Sequence, residues 1–275
     1  MADSSAAGLP PPASTRKGKI GIIGSGLIGR SWALIFAGAG YNVTIYDIEQ
    51  SQLTNALEDI EKQLEELKKS GLLRGSLSPE QQRALISVTM EMKDAVTGAV
   101  HVQCNPPYYC PLVEIIPNSW TDQSIMSRTR SLLEEVGQVP VTVKREIDGF
   151  ASNRMQYALI NEAWRLVADG VMSSEDVDKI FTAGLGMRYA FCGPFEVIHL
   201  NAEGTSNYME RYGPTINRVT SSFGPPPNFK EEGSDAIFAE SATRFPLDQL
   251  QERRQWRDRR LVALAKLKHD MNAKE

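Results

Sequence analysis

Cysteine is scarce in this chain: Cys104, Cys110 and Cys192 are the only three among 275 residues. No two of them form a Cys-x-x-Cys pair and their number is odd, so a disulfide framework is not expected. Reduced thiols in a cytoplasmic protein fit better. No apolar run is long enough to span a bilayer. Positive charge is not in excess, with 30 Lys and Arg against 34 Asp and Glu. The formal charge of −4 argues against a nucleic-acid surface. Residues 1–17, rich in Ala, Ser and Pro, lack the apolar core of a secretory signal and the Arg-rich face of a transit peptide. They are read as a disordered extension. No internal repeat is found, and no metal ligand is assigned. What is present is ordinary for a globular chain, at 41% hydrophobic and 23% charged residues.

The informative stretch is residues 20–47. An apolar strand, Ile20 to Ile23, runs into Gly24-Ser25-Gly26-Leu27-Ile28-Gly29. A helix follows with Ile28, Trp32, Ile35 and Phe36 at helical spacing. A second strand, Val43 to Tyr46, ends in Asp47. Gly24 serves a tight turn, Gly26 lets the backbone approach a pyrophosphate, and Gly29 lets the helix pack on the strand. The helix N-terminus offers free N–H groups to phosphates. Asp47 is placed to accept hydrogen bonds from the adenosine ribose and to repel a 2′-phosphate. The segment predicts NAD binding by Gly24, Gly26, Leu27, Ile28, Gly29 and Asp47.

Helices are expected at Leu53–Leu67, after the cap Ser78-Pro79, around Met92–Gly98 and at Ile125–Val136. Strands are expected near Ile86–Val88, Val100–Val102, Leu112–Ile116 and Val139–Val143. From Asp148 on the pattern is helical, with Ser173 as a cap and a last charged helix near Leu247–Lys268. The reading is α/β: an N-terminal parallel sheet over residues 18–147, then an all-α unit over 148–275.

Several segments together resemble the 3-hydroxyacyl-CoA dehydrogenase family, most closely its lambda-crystallin branch, which includes L-gulonate 3-dehydrogenase. They are GSGLIGRSWALIFA, VTIYDIE, NPPYYCPLVEIIP, GFASNRMQYALINEAWRLVADG, GLGMRYAFCGPFE, HLNAEG and RRQWRD. The resemblance implies a Rossmann-like domain and a helical domain that shapes the substrate cleft and makes a homodimer. It also implies NAD-dependent oxidation of the 3-hydroxyl of a small hydroxy acid, L-gulonate first, with 3-hydroxyacyl-CoA as the rival substrate.

One segment of the family pattern is missing between Gln103 and Asn105. There the family has two further helix–strand units, with a Ser-rich turn and a His three residues before the Asn that opens Asn-Pro-Pro. Val102 stands at the His position, and the Ser has no counterpart. The resemblance still implies that Glu114 matches the carboxylate that orients the catalytic His. Asn153 matches the Asn that binds the substrate oxygen. The expected consequence is a truncated sheet and impaired chemistry, an inactive NAD-binding or structural protein being the alternative. A loosened first half and a better-packed helical half are expected.

His101 lies one residue off the family register and is read as a strand histidine, since a one-residue slip turns a side chain to the other face. His199 is expected to pack within the helical half, and His269 lies in an exposed tail. Arg188 and Tyr189 are read equally as cleft lining or as parts of a packed helix. Arg253, Arg254, Arg257, Arg259 and Arg260 read as a solvated face.

Overall fold

The computed structural model describes residues 18–103, 111–230 and 234–272. The N-terminal tail, Cys104, Cys110 and the Asn105-Pro106-Pro107 motif lie outside the described residues. Two compact units are formed. One runs to Glu146 and takes in the chain from Arg257 onward, and the other is Ile147–Trp256.

In the first unit, β1 (Lys19–Ile23), α1 (Leu27–Gly38), β2 (Asn42–Tyr46), α2 (Gln50–Lys69), α3 (Pro79–Ala84), β3 (Ile86–Thr89), α4 (Met92–Val96) and β4 (Ala99–Gln103) follow one another. The four strands form a parallel sheet in the order β3-β2-β1-β4. Ile20, Ile22, Val43 and Ile45 of the two central strands are at most 1% exposed. They pack with Trp32 and Phe36 of α1 and with Leu53, Ile60 and Leu64 of α2. Complete burial of each such side chain contributes roughly 1.5–3 kcal/mol. Parallel strands read as continuous apolar runs because they are buried on both faces. The α3 start is a complete capping box, Ser78 with Gln81, and Pro79 sits in the first turn.

The sheet then stops. β5 (Leu112–Ile115), α5 (Gln123–Glu135) and β6 (Val139–Thr142) form a separate βαβ unit, with β5 paired in parallel to β6 and to no other described strand. Only eight residues separate Gln103 from Leu112. A crossover to a neighbouring parallel strand needs a dozen or more. The shortened chain therefore divides its strands between two sheets. Met126, Leu133 and Val136 still join the buried cluster of the large sheet, and the Tyr41 hydroxyl donates to Glu135 Oε2 at 2.9 Å. On β6, Arg130 donates from Nη1 to the Pro140 carbonyl at 2.9 Å and from Nη2 to Thr142 Oγ1 at 2.8 Å. Proline, which has no N–H, and a bound carbonyl blunt that edge.

The second unit contains α6 (Ser152–Ala168), α7 (Ser174–Ile180), α8 (Gly186–Tyr189), α9 (Pro194–Leu200), α10 (Thr205–Thr220) and α11 (Ser234–Arg244). A π-turn, Phe181–Leu185, joins α7 to α8. The Ser173 hydroxyl caps α7 by accepting the Asp176 N–H at 3.1 Å. A short 3₁₀ turn precedes α12 (Leu250–Asn272), whose later part belongs to the first unit. There Val262 and Ala265 line a cavity with Leu67, Leu72 and Val136. The second unit is thus shorter than the span 148–275 read from sequence.

Burial is unevenly distributed between the two halves. Among the described residues of the second unit only Val177, Ser234 and Ile237 are buried. The retained strands β1 and β2 are still covered by α1 and α2. Trp164 of α6 packs against Phe229 and Phe238, but Met209, Tyr212, Ile216 and Val219 of α10 stay exposed.

Candidate functional site

The glycine turn lies between the C-terminal end of β1 and the start of α1. Gly24 has φ +95°, in the left-handed region, and its N–H donates to the Tyr46 carbonyl at 2.8 Å. That bond ties the turn to the end of β2. A Cβ added to Gly29 would lie 1.9 Å from the Gly24 carbonyl oxygen and 3.1 Å from the Ile22 side chain. A Cβ on Gly26 would meet no protein atom within 4 Å. The first of these positions demands glycine for packing. The second faces outward, as a backbone that approaches a pyrophosphate must.

Gly26 is the N-cap of α1, and no side chain caps the helix or places an acid in its first turn. The first-turn N–H groups are therefore left to an anion. Leu27 and Ile28 are 74% and 39% exposed. Ile28 thus belongs to the rim of the turn rather than to the core stripe of Trp32 and Phe36 expected for it.

Asp47 follows β2. Its Oδ2 accepts the Ser25 N–H at 2.8 Å and the Ser25 hydroxyl at 2.6 Å, and its Oδ1 accepts the Glu49 N–H at 3.3 Å. The Ser25 hydroxyl, helped by backbone N–H groups, holds the Asp47 carboxyl below its ordinary value of 3.8 against a smaller effect of burial. The structure thus brings Gly24, Gly26, Leu27, Ile28, Gly29 and Asp47 together at one end of the sheet. Ser25 is the residue that sequence reading missed. Its signal was a hydroxyl residue between the two turn glycines, opposite an acid at the end of the next strand. This turn, open at Gly26 and carrying an ionised carboxylate, fits a dinucleotide.

Glu114 is placed elsewhere, on β5 opposite Val141 of β6 and partly buried. Asn153 is exposed in the first turn of α6, in the second unit. Val102, which a count back from Asn105 sets against the family His, is in β4 opposite Gly21. His101 pairs with Ile20, and its ring centroid is 5.9 Å from that of Phe36. Ile20 is four residues before Gly24, about 13 Å along a strand. His101 therefore stands beneath α1, remote from the turn.

In the helical unit, His199 Nδ1 accepts the Thr205 N–H at 3.2 Å and so caps α10. Gly186 serves the π-turn itself, since a Cβ there would meet the Phe181 carbonyl oxygen at 2.6 Å. Arg188 and Tyr189 are exposed on α8. Arg253, Arg254, Arg257, Arg259 and Arg260 are all exposed, and Arg253 also stacks 3.7 Å over the Trp256 ring. Among the described residues no helix is long and apolar enough to cross a membrane.

The model of the 3-hydroxyacyl-CoA dehydrogenase NAD-binding domain matches in two segments, residues 19–104 and 98–147, and that of the C-terminal domain matches residues 149–231. The Rattus norvegicus lambda-crystallin homolog is 42% identical over 94% of this chain and 99% of its own. That alignment runs over 315 residues, more than the 275 present here, so the relative has tens of residues that this chain lacks. The two NAD-domain segments meet where the sheet divides. An L-carnitine dehydrogenase of Oceanobacillus iheyensis is 28% identical over 72% of this chain and 81% of its own. The crystal structure of 5-formyl-3-hydroxy-2-methylpyridine 4-carboxylic acid 5-dehydrogenase, an NAD⁺-dependent dismutase, agrees in fold. It has a TM-score of 0.73 at 21% identity over 90% of this chain and 97% of its own. The glycine turn with its carboxylate, the helical second unit and these matches make the chain a member of the 3-hydroxyacyl-CoA dehydrogenase family.

Proposed function

We propose that this chain binds NAD through the Gly24–Gly29 turn and Asp47, and that it is a strongly impaired dehydrogenase of a small 3-hydroxy acid, with L-gulonate the first substrate to test. The carrying observation is the contrast between an intact turn and the lack, between Gln103 and Asn105, of the segment on which the resembled family carries its His. Bound NAD would accept a hydride from the carbon bearing the hydroxyl. The hydroxyl proton must leave at the same time, and this chain lacks the segment on which the resembled family carries the acceptor. Glu114 then has no imidazole from that segment to orient. Asn153 retains an amide suited to hydrogen-bonding a substrate oxygen. The rival reading is an NAD-binding or structural protein without turnover.

A homodimer through the helical unit is part of this reading. Met209, Tyr212, Ile216 and Val219 recur at intervals of three and four on α10, and each is at least 37% exposed. Such a stripe is what a partner helix covers.

The test is a titration with NADH, followed by an assay of NADH formation from NAD with L-gulonate and, separately, with a 3-hydroxyacyl-CoA. Binding with little or no turnover supports the reading. Turnover within about tenfold of an unshortened relative refutes the impairment, being below the low end of general-base contributions. No binding at millimolar cofactor refutes the cofactor site.

A further inference from the structure

We infer that Ser25 is a specificity-determining residue: its hydroxyl clamps Asp47 so that the carboxylate cannot swing aside for a 2′-phosphate, making NAD preference a property of the Ser25–Asp47 pair. The inference rests on the cofactor reading above. Ser25 is 1% exposed, so its side chain is directed inward and does not contact bulk solvent. Its N–H and its Oγ converge on one oxygen, Asp47 Oδ2, at 2.8 and 2.6 Å. A hydroxyl hydrogen-bonded to a carboxylate is among the stronger hydrogen bonds in proteins. Two donors on one oxygen fix the rotation of the carboxylate as well as its position. Oδ1, which accepts the Glu49 N–H at 3.3 Å, is the oxygen left to a ribose hydroxyl.

The clamp also joins the two halves of the nucleotide site. Ser25 sits in the turn that serves the pyrophosphate, and Asp47 sits where the adenosine ribose belongs. Without the hydroxyl, Oδ2 keeps only the Ser25 N–H, and the carboxylate is freer to rotate. An acid that moves away loses part of its hold on a 2′-hydroxyl and part of its repulsion of a 2′-phosphate. NADH affinity and NADH-over-NADPH preference should therefore fall together.

The experiment measures NADH and NADPH dissociation constants by fluorescence titration on the full chain, for the unaltered protein, Ser25→Ala, Asp47→Ala and the double variant. Ser25→Ala should weaken NADH about tenfold, the scale of a hydrogen bond to a charged group, and lower the NADH-over-NADPH affinity ratio by a similar factor. In the Asp47→Ala background the same change should leave the ratio unaltered. Both nucleotides are measured on one sample, so a loss of folded protein moves both constants and leaves the ratio unaltered. An undiminished ratio in Ser25→Ala, or an equal effect of Ser25→Ala with and without Asp47, overturns the clamp while leaving the cofactor site in place. Failure of the unaltered chain to bind NADH overturns the cofactor reading and the clamp together.

Discussion

The carbonyl oxygen of Gly24 occupies the space in which residue 29 would carry a side chain, 1.9 Å from an added Cβ. The two glycines are thus in direct backbone contact across the turn, and the helix can approach the strand only because residue 29 has no Cβ. A Cβ on Gly26, between them in sequence, would meet no protein atom within 4 Å.

Alanine at these two positions should therefore separate folding from binding. Gly29→Ala forces backbone apart and should cost about 3 kcal/mol of stability, at the upper end for overpacking. Gly26→Ala, at φ −63° and ψ −179°, meets no strain and should leave Tm nearly in place. It should weaken NADH by tenfold or more, about 1.4 kcal/mol, because its methyl projects where the pyrophosphate is expected. Thermal melts and NADH titrations of both variants check this. Equal loss of stability in the two would contradict the geometry.

Asp47→Ala should weaken NADH roughly tenfold or more and NADPH much less, since a hydrogen bond to a charged group is worth about 1.5–3 kcal/mol. The carboxyl is held below 3.8 in the folded chain. A depressed value stabilises the fold above the unfolded carboxyl range, and that contribution disappears as pH falls through the lowered value. NAD affinity should accordingly be level at neutral pH and decline only well into the acid range. Titration with NAD at several pH values follows the decline, and an inflection near neutrality would point to a different group.

NADH formation from L-gulonate should be roughly 10²–10⁴-fold below that of an unshortened relative, the range of a lost general base. Replacing His101 by alanine should leave any residual rate unchanged, because the ring lies against Phe36 on the body of the sheet. A stopped residual reaction in that variant would place the proton acceptor at His101.

Tyr41 offers an alkaline probe of how the small βαβ unit is held. Burial, then its bond to Glu135, raises its phenol from 10.0 to about 12. The neutral phenol is favoured in the fold, so this stabilisation is whole below pH 10 and is lost as pH rises towards 12. Tyr41→Phe should cost roughly 1 kcal/mol at neutral pH and flatten that alkaline loss. Denaturant melts at pH 7 and pH 11 give both quantities, and an unchanged alkaline slope would dismiss the contact.

Hydrogen exchange should show the strongest protection in β1, β2 and α1, where Ile20, Trp32, Phe36 and Val43 are almost wholly buried. In α6 and α10 protection should rise with protein concentration if a second copy covers the α10 stripe. Protection in α10 that is strong and independent of concentration, with a monomeric sedimentation coefficient, would defeat the homodimer.

Local geometry was legible in the chain itself. Gly24 and Gly29 declared themselves because a tight turn and close packing each require glycine at a particular spacing. The Ser78 cap and the strands at Ile20 and Val43 were equally plain, since capping and burial on both faces leave local patterns. Glu114 and Asn153 were carried only by resemblance, and the structure sets them on β5 and α6, in different units.

The missing segment, too, was visible as sequence: Val102 is followed almost at once by Asn105, leaving no length for a crossover. What replaced the lost pairing was decided by tertiary structure. A strand finds its partners through long-range geometry, so the pairing of β5 with β6 alone had no local signature. The same holds for the Ser25–Asp47 bond, which joins residues 22 apart, and for His101 beneath Phe36. It holds also for the scarcity of buried residues in the helical unit, because an apolar stripe on a helix states that it must be covered but not by what.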